Sequence, residues 1–599
     1  MPTRYRARPI LAGWMAVLSV LGIPEAAMSG TVPRSAGDAA KQLHALFATE
    51  WDYETQWDPT RASALGDYRW NDRWPERTPA SLRSDRDHRA EALEKLKKID
   101  RASLSPSDQV NYDFFRRLEE EEVEEYSFHW FLVPLDQRDG IQTANLLADV
   151  LRFDSVKNYE DWTARLRSFS AYLDQTMALM REGTKERIVH PRVIMERVPA
   201  QIDKQIVTNP EASGFFKPFR NFPAAIPATE RARLVRDAKA AIANQVVPSF
   251  RRFKKFFVEE YLPACFDNVG IWQTPRGEAM YRFFVRKYTT TPLTPAEIHA
   301  IGLREVNRIS GEMARVMQQT GFQGSRADFF RYLRTDPKFH YNTPQELLEA
   351  YRATAKRIDP NLTKLFRLLP RLPYGVEPIA DSIAPDTTAA YYREPPGDGT
   401  LPGTFMVNLY KPEARPKWEM MALSLHEAVP GHHLQIALAM EQQGLPNFRR
   451  YGYVNAFGEG WGLYAESLGE DMGLYDDPYS KFGELTYDMW RAVRLVVDTG
   501  MHEMRWSRQK AIDYFLENAP KTELDVTNEI DRYIAWPGQA LAYKIGQLKF
   551  KELRERARRE LGAKFDLREF HEVVLKEGTV PLDILEQQVD AWIASKRSS

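Results

Sequence analysis

The chain of 599 residues has a single cysteine, Cys265. No internal disulfide can form, so the fold has to be held by a packed core. Net charge is nearly absent as well, with 82 Lys and Arg against 83 Asp and Glu. That balance sets up no overall field to draw nucleic acid or an anionic membrane surface, and suits a compact uncharged or zwitterionic substrate. Long apolar runs are scarce. The one near the N-terminus, "ILAGWMAVLSVLGI", is shorter than the ~20 residues that span a bilayer. Strand signals are few, and there is no internal repeat or low-complexity tract. At this length the chain can build one large cored unit or two to four lobes around a cleft.

What is present begins with a targeting pattern. Arg4, Arg6 and Arg8 precede the apolar run, and the small-residue stretch "PEAAMSG" follows it, which is the three-part build of a secretory signal peptide. Residues 1–29 are therefore expected to be removed, leaving a periplasmic or secreted protein with no membrane span and no nucleic-acid partner. Beyond residue 35 the pattern is helical almost throughout. In "PLTPAEIHAIGLREVNRISGEMARVM" Thr294 and Glu297 form a capping box around Pro295, and apolar residues recur at helical spacing. The clearest strand is "TFMVNLY", residues 404–410, between two Gly/Pro-rich stretches. These signals predict a mostly α fold with a small β-sheet. Proline-bearing stretches near 208–228 and 372–403 suggest an N-terminal helical lobe over 30–370 and a C-terminal catalytic lobe over 371–599.

Eleven histidines are few for this length, yet three fall with a glutamate inside eight positions of "SLHEAVPGHHLQIALAM", residues 424–440. The stretch nearly spells H-E-x-x-H, the helical zinc signature, but Pro430 stands where the second histidine belongs. In a regular H-E-x-x-H helix the histidines lie about 40° apart around the axis and about 6 Å along it. Both imidazoles then reach one tetrahedral ion. Here His432 and His433 come six and seven residues after His426. On an unbroken helix His433 returns to the His426 face about 10 Å further along, and His432 points about 120° away. Pro430 cannot donate to the helical ladder and Gly431 is permissive, so "VPG" is where the helix can bulge by two residues. With that bulge His432 faces the ion beside His426. His426 and His432 are the expected zinc ligands, with His433 the alternative second ligand.

A third ligand is expected from "NAFGEGWGLYAESLG", where Glu459 and Glu466 are seven residues apart on one helical face among residues that read as buried. Buried carboxylates require partners. Glu459 as a ligand and Glu466 as the group orienting a ligand histidine would supply them.

"HEAVPGHHLQ", "EGWGLYAE" and "RYIAWPGQALAYKIGQLK", in this order, resemble the bacterial family known as domain of unknown function 885, a likeness that covers most of the mature chain, as one continuous domain over about 40–595. More distantly the arrangement is similar to the glutamate-zincin peptidases, among them thimet oligopeptidases, angiotensin-converting enzyme and thermostable carboxypeptidases. A Gly-His pair ends their first motif, corresponding to Gly431 and His432, and a Glu ligand with a second Glu seven residues on corresponds to Glu459 and Glu466. The two-residue insertion within H-E-x-x-H is the departure. The resemblance implies a multi-helix, two-lobed peptidase fold with a deep cleft, one zinc ion per chain and short peptides as substrate.

Three protein ligands leave a coordination position open for water, and Glu427 is placed to take its proton as general base. Tyr543 is the candidate donor to the charge that develops on the attacked carbonyl; Gln539 and Gly546 share its helical face, and the related peptidases carry a transition-state tyrosine in a similar setting. Arg532 and Tyr533 are candidates for binding the substrate backbone or its C-terminal carboxylate. Arg491, Asp498 and His502 lie on one stripe of a further helix, where Asp498 and His502 form either a structural pair or an oriented donor. Asn408 and Tyr410 are candidate contacts on an edge strand that pairs with extended substrate. The expected activity is zinc-dependent peptide hydrolysis; hydrolysis of another amide, such as an acylated amino acid or a cell-wall fragment, and a non-catalytic peptide-binding relative remain open alternatives.

Overall fold

Many of the prolines stand at helix starts. Thr78, Ser105, Thr294, Thr343 and Asp477 each cap a helix whose first residue is proline. The cap oxygen takes an otherwise unpaired amide, and proline at the first position gives up no ladder hydrogen bond while its fixed φ suits the helix. In the computed structural model, which describes residues 34 to 598 except 382, 383, 387, 398 and 400, most of the chain is helical. The expected signal peptide lies outside the described residues. The capping box at Thr294 and Glu297 forms, and the helix it opens, Pro295–Gln319, is amphipathic.

The small sheet has three strands, β1 (Tyr374–Pro378), β2 (Ala390–Arg393) and β3 (Gly403–Val407). β3 is central, parallel to β1 and antiparallel to β2. Every residue of β3 is buried, as its unbroken apolar run requires. The expectation that this strand offers an open edge is therefore corrected: both its sides are paired. The edge strand that reaches the candidate site is β2.

Two large apolar clusters form the core, and each draws on both sides of residue 370, where the two expected lobes would meet. The helix Pro478–His502 is buried without a break from Phe482 to His502 and packs along Pro295–Gln319. Gly302 permits that approach, because a Cβ there would lie 2.8 Å from Leu495 and Val496 side-chain atoms. The helices Asn455–Met472 and Ala542–Leu561 cross at Gly460 and Gly546, where an added Cβ would meet the opposing backbone at 2.5 and 1.9 Å. Their crossing brings the Glu459 segment beside Tyr543. Among the described residues no helix is long and apolar enough to cross a membrane.

Candidate metal centre

The motif helix does not bulge; it breaks. One helix, Met420–Glu427, ends at the glutamate, and a second, His432–Glu441, begins at the next histidine. Ala428 to Gly431 turn the chain between them, with Ala428 at φ −95°, ψ −114° and Gly431 at φ −75°, ψ −128°, and the Val429–Pro430 bond is cis. A Cβ on Gly431 would sit 1.8 Å from the His426 carbonyl oxygen, so only glycine fits there. Trp461 of the helix Asn455–Met472 ties the break down by donating its indole N–H to the Pro430 carbonyl at 2.8 Å.

This break places the His432 ring edge-on to the His426 ring, with centroids 4.7 Å apart. Glu459 Oε2 lies 3.7 Å from His426 Nε2 and 3.5 Å from His432 Nε2. One donor atom from each of the three residues falls within 4.8 Å of the others. Glu466, two turns after Glu459, approaches the opposite nitrogen, His426 Nδ1, at 2.8 Å. The imidazole thus stands between two carboxylates of one helix. Gly462 between them gives the ring its space, since a Cβ there would be 2.8 Å from His426 Cε1.

The two histidines are buried, His426 to 2 % and His432 to 8 % exposure. Burial opposes protonation of His426, but the hydrogen bonds to Glu459 and Glu466 and the charge of Glu427 outweigh it and push its pKa up to about 9. For Glu459 burial also opposes the charged form, and its contacts with His426 and His432 hold the carboxyl well below its usual range. The cluster is thus a place where charges of opposite sign are held out of water. His432 Nδ1 and Glu466 Oε2 are buried polar atoms with no partner in the structure.

His433 faces elsewhere. Its Nδ1 meets the Tyr392 hydroxyl at 2.9 Å and its Nε2 the Leu372 carbonyl at 3.0 Å, and burial lowers its pKa to about 4. Both nitrogens are engaged against β2 and the segment before β1, so the alternative second ligand is not in the cluster.

A cavity of about 370 Å3 opens over the three residues, and Glu427, Gln539, Tyr543 and Arg532 line it. Burial and the neighbouring Glu459 charge raise the Tyr543 pKa, while Arg532 and Arg494 oppose the rise. Its phenol remains a donor at neutral pH. Tyr453 also lines the cavity, and burial and Glu459 raise its pKa well above the usual value. Sequence reasoning passed over Tyr453, Arg138, Arg494 and Glu394, all in the cavity wall. Only the position of Arg494, one turn from Arg491 on the helix Pro478–His502, could have signalled one of them.

Several expected contacts are corrected by the geometry. Asp498 and His502 do not pair. Asp498 accepts from the Tyr281 hydroxyl at 2.6 Å and from the Gly538 amide at 3.1 Å, and His502 accepts from the Ile271 amide and meets the Tyr533 carbonyl. Both are structural groups away from the cavity wall. Tyr533 is fully buried, its hydroxyl taking bonds from Trp490 and Arg494 and giving one to Glu529. The Arg532 guanidinium is held by Glu529 and Gln539. Asn408 is buried against the Ala384 and Thr388 carbonyls, and the exposed Tyr410 packs on Lys411. Neither lines the cavity.

The fold is similar to two solved structures. One is described as a "putative lipoprotein" from Colwellia psychrerythraea, 29% identical, with a TM-score of 0.88 over 93% of this chain and 100% of that one. Another is a "putative lipoprotein of unknown function" from Shewanella oneidensis, 16% identical, with a TM-score of 0.66 over 93% and 99% of the two chains, a likeness of fold alone. No curated protein matches the sequence. The model of the family described as bacterial protein of unknown function, DUF885, matches residues 59–589 and so takes in every residue of the histidine–glutamate cluster; the chain belongs to that family.

Proposed function

We propose that this protein is a zinc-dependent peptidase that hydrolyses short peptides in a cleft between helical lobes, working in the periplasm or outside the cell. The observation that carries the reading is the cluster of His426, His432 and Glu459 with Glu427 in the wall of the same cavity. Ligand atoms around a tetrahedral ion with bonds of 2.0–2.1 Å stand about 3.4 Å apart. The two histidine–glutamate separations, 3.5 and 3.7 Å, fit that spacing. Two imidazoles and a carboxylate are a donor set that zinc accepts with a position to spare. Glu466 supports the assignment, because a carboxylate on His426 Nδ1 fixes the tautomer that leaves Nε2 free to ligate.

When bound, the ion would supply Lewis acidity and lower the pKa of water towards ~7. The chain supplies the rest. Glu427 takes the proton from the attacking water and passes it to the leaving amine. Tyr543, protonated and in the cavity wall, donates to the oxygen on which charge develops. The N-terminal targeting pattern and the likeness to proteins described as lipoproteins support an extracytoplasmic site of action.

The test is a digest of a mixed peptide library by the zinc-loaded protein, read by mass spectrometry. The wild type should cleave, and Glu427→Gln should keep its metal while losing about 10²–10⁴-fold in turnover. A variant with near-normal rate would remove Glu427 from its role, and an inert zinc-loaded wild type would end the peptidase reading.

A further inference from the structure

The charges lining the cavity are unevenly matched. Arg138, Arg491, Arg494 and Arg532 line it together with Glu529. Arg532, Arg494 and Arg138 all act on the Glu529 carboxyl, holding it down to the acid side of its usual range against burial. Four guanidinium groups therefore share one carboxylate, apart from the longer contact of 3.5 Å between Arg491 and Glu466. Buried charge of one sign needs a counter-charge.

Their donors are also unequally used. Arg532 is spent on Glu529 and Gln539. Arg494 gives Nε to the Tyr533 hydroxyl at 2.7 Å and one terminal nitrogen to Glu529 at 3.1 Å, and its other terminal nitrogen is buried without a partner. Arg491 Nε is likewise buried and unpartnered. Both side chains are only 5 % exposed, so bulk water does not replace the missing acceptors. Arg138 makes no side-chain hydrogen bond or ion pair with a described residue and stands 5.5 Å over the Trp536 ring. Arg494 lies 4.2 Å over the Tyr543 ring, which joins this cluster to the histidine–glutamate centre.

We propose that Arg138, Arg491 and Arg494 form the seat for a substrate carboxylate, the α-carboxylate of the peptide's C-terminus, so that the enzyme cuts short fragments from the C-terminal end. The assignment rests on the peptidase reading. It follows from which donors are free, since guanidinium forks bind carboxylates bidentately and an acceptor here satisfies atoms that otherwise lie buried and unpaired. It also moves the role from Arg532 and Tyr533, whose polar atoms are already engaged.

Calorimetric binding of three probes to the intact protein tests the seat without needing turnover. The probes are N-acetyl-alanyl-alanine, its C-terminal amide, and the amide of N-acetyl-alanyl-aspartate. The free acid should bind about 10–100-fold more tightly than its amide, the range lost with a charged hydrogen bond. Arg138→Gln should weaken the acid far more than the amide, and this side chain, which holds no neighbour by a hydrogen bond, can be changed without dismantling the fold. Equal binding of acid and amide, or no binding of the acid, overturns the proposal. If the aspartate amide matches the free acid, the carboxylate seat stands and a side chain is its source. A preference for the acid in a protein that cleaves no peptide supports the seat and refutes the peptidase reading, so the two fail separately.

Discussion

His426 is the residue on which the account turns, because each of its nitrogens faces a different carboxylate of the same helix. Seven residues on a helix is close to two turns, about 10 Å, and Gly462 lets the ring sit between. Gly462→Ala should therefore leave the helix intact, alanine being the better helix former, while a methyl 2.8 Å from His426 Cε1 pushes the ring off its position. The expected outcome is a normal far-ultraviolet circular dichroism spectrum with metal affinity down about 10–100-fold, the usual cost of disturbing what orients a ligand. Unchanged affinity would mean that the ring has room to move. The residues of the cluster were readable from sequence because histidine is scarce here and two glutamates at helical spacing amid apolar residues need a partner. Arg138 and Tyr453 were not, since they lie far from the motif in the chain and nothing in their neighbours' spacing points at a cavity.

The element that brings His432 to His426 is a broken helix. The sequence marked the place through Pro430 and Gly431, and left the device ambiguous, because a proline interrupts the ladder without dictating whether the chain bulges or turns. The deciding contacts are long-range: the Trp461 N–H on the Pro430 carbonyl and the closeness of Gly431 to the His426 carbonyl. Gly431→Ala places a Cβ at 1.8 Å from that oxygen, which the turn cannot absorb without moving. It should lower stability by about 1–3 kcal/mol, the usual cost of forced overpacking, and lose metal at the same time, measured by denaturant unfolding and metal content. Loss of neither would show that the turn is not what positions His432. The strand 404–410 was legible as a strand but not as a central one; an apolar run fits either place until the partners β1 and β2 are known.

For the whole molecule, the helical class followed from periodicity and caps, whereas the packing of both cores across residue 370 depends on contacts between distant segments. Those cores also bury histidines away from the metal centre. Burial holds His502 to about 4 and His571 to about 3, against the hydrogen bonds to the Tyr533 and Leu365 carbonyls, and lowers His190 as well. In the unfolded chain such groups take up a proton near pH 6.5. Between that value and the folded one the unfolded state binds more protons, so stability is full above about pH 6.5 and is lost as pH falls towards 4. The thermal midpoint should drop steadily over that window; a flat profile would show that these rings reach water. The central claim concerns the metal, and metal content per chain tests it most directly, measured on the wild type, His432→Ala and His433→Ala after dialysis against a weak chelator. The account predicts about one zinc in the wild type and in His433→Ala and none in His432→Ala, since two remaining ligands do not hold the ion; a metal-free wild type, or an empty His433→Ala beside a loaded His432→Ala, would contradict it.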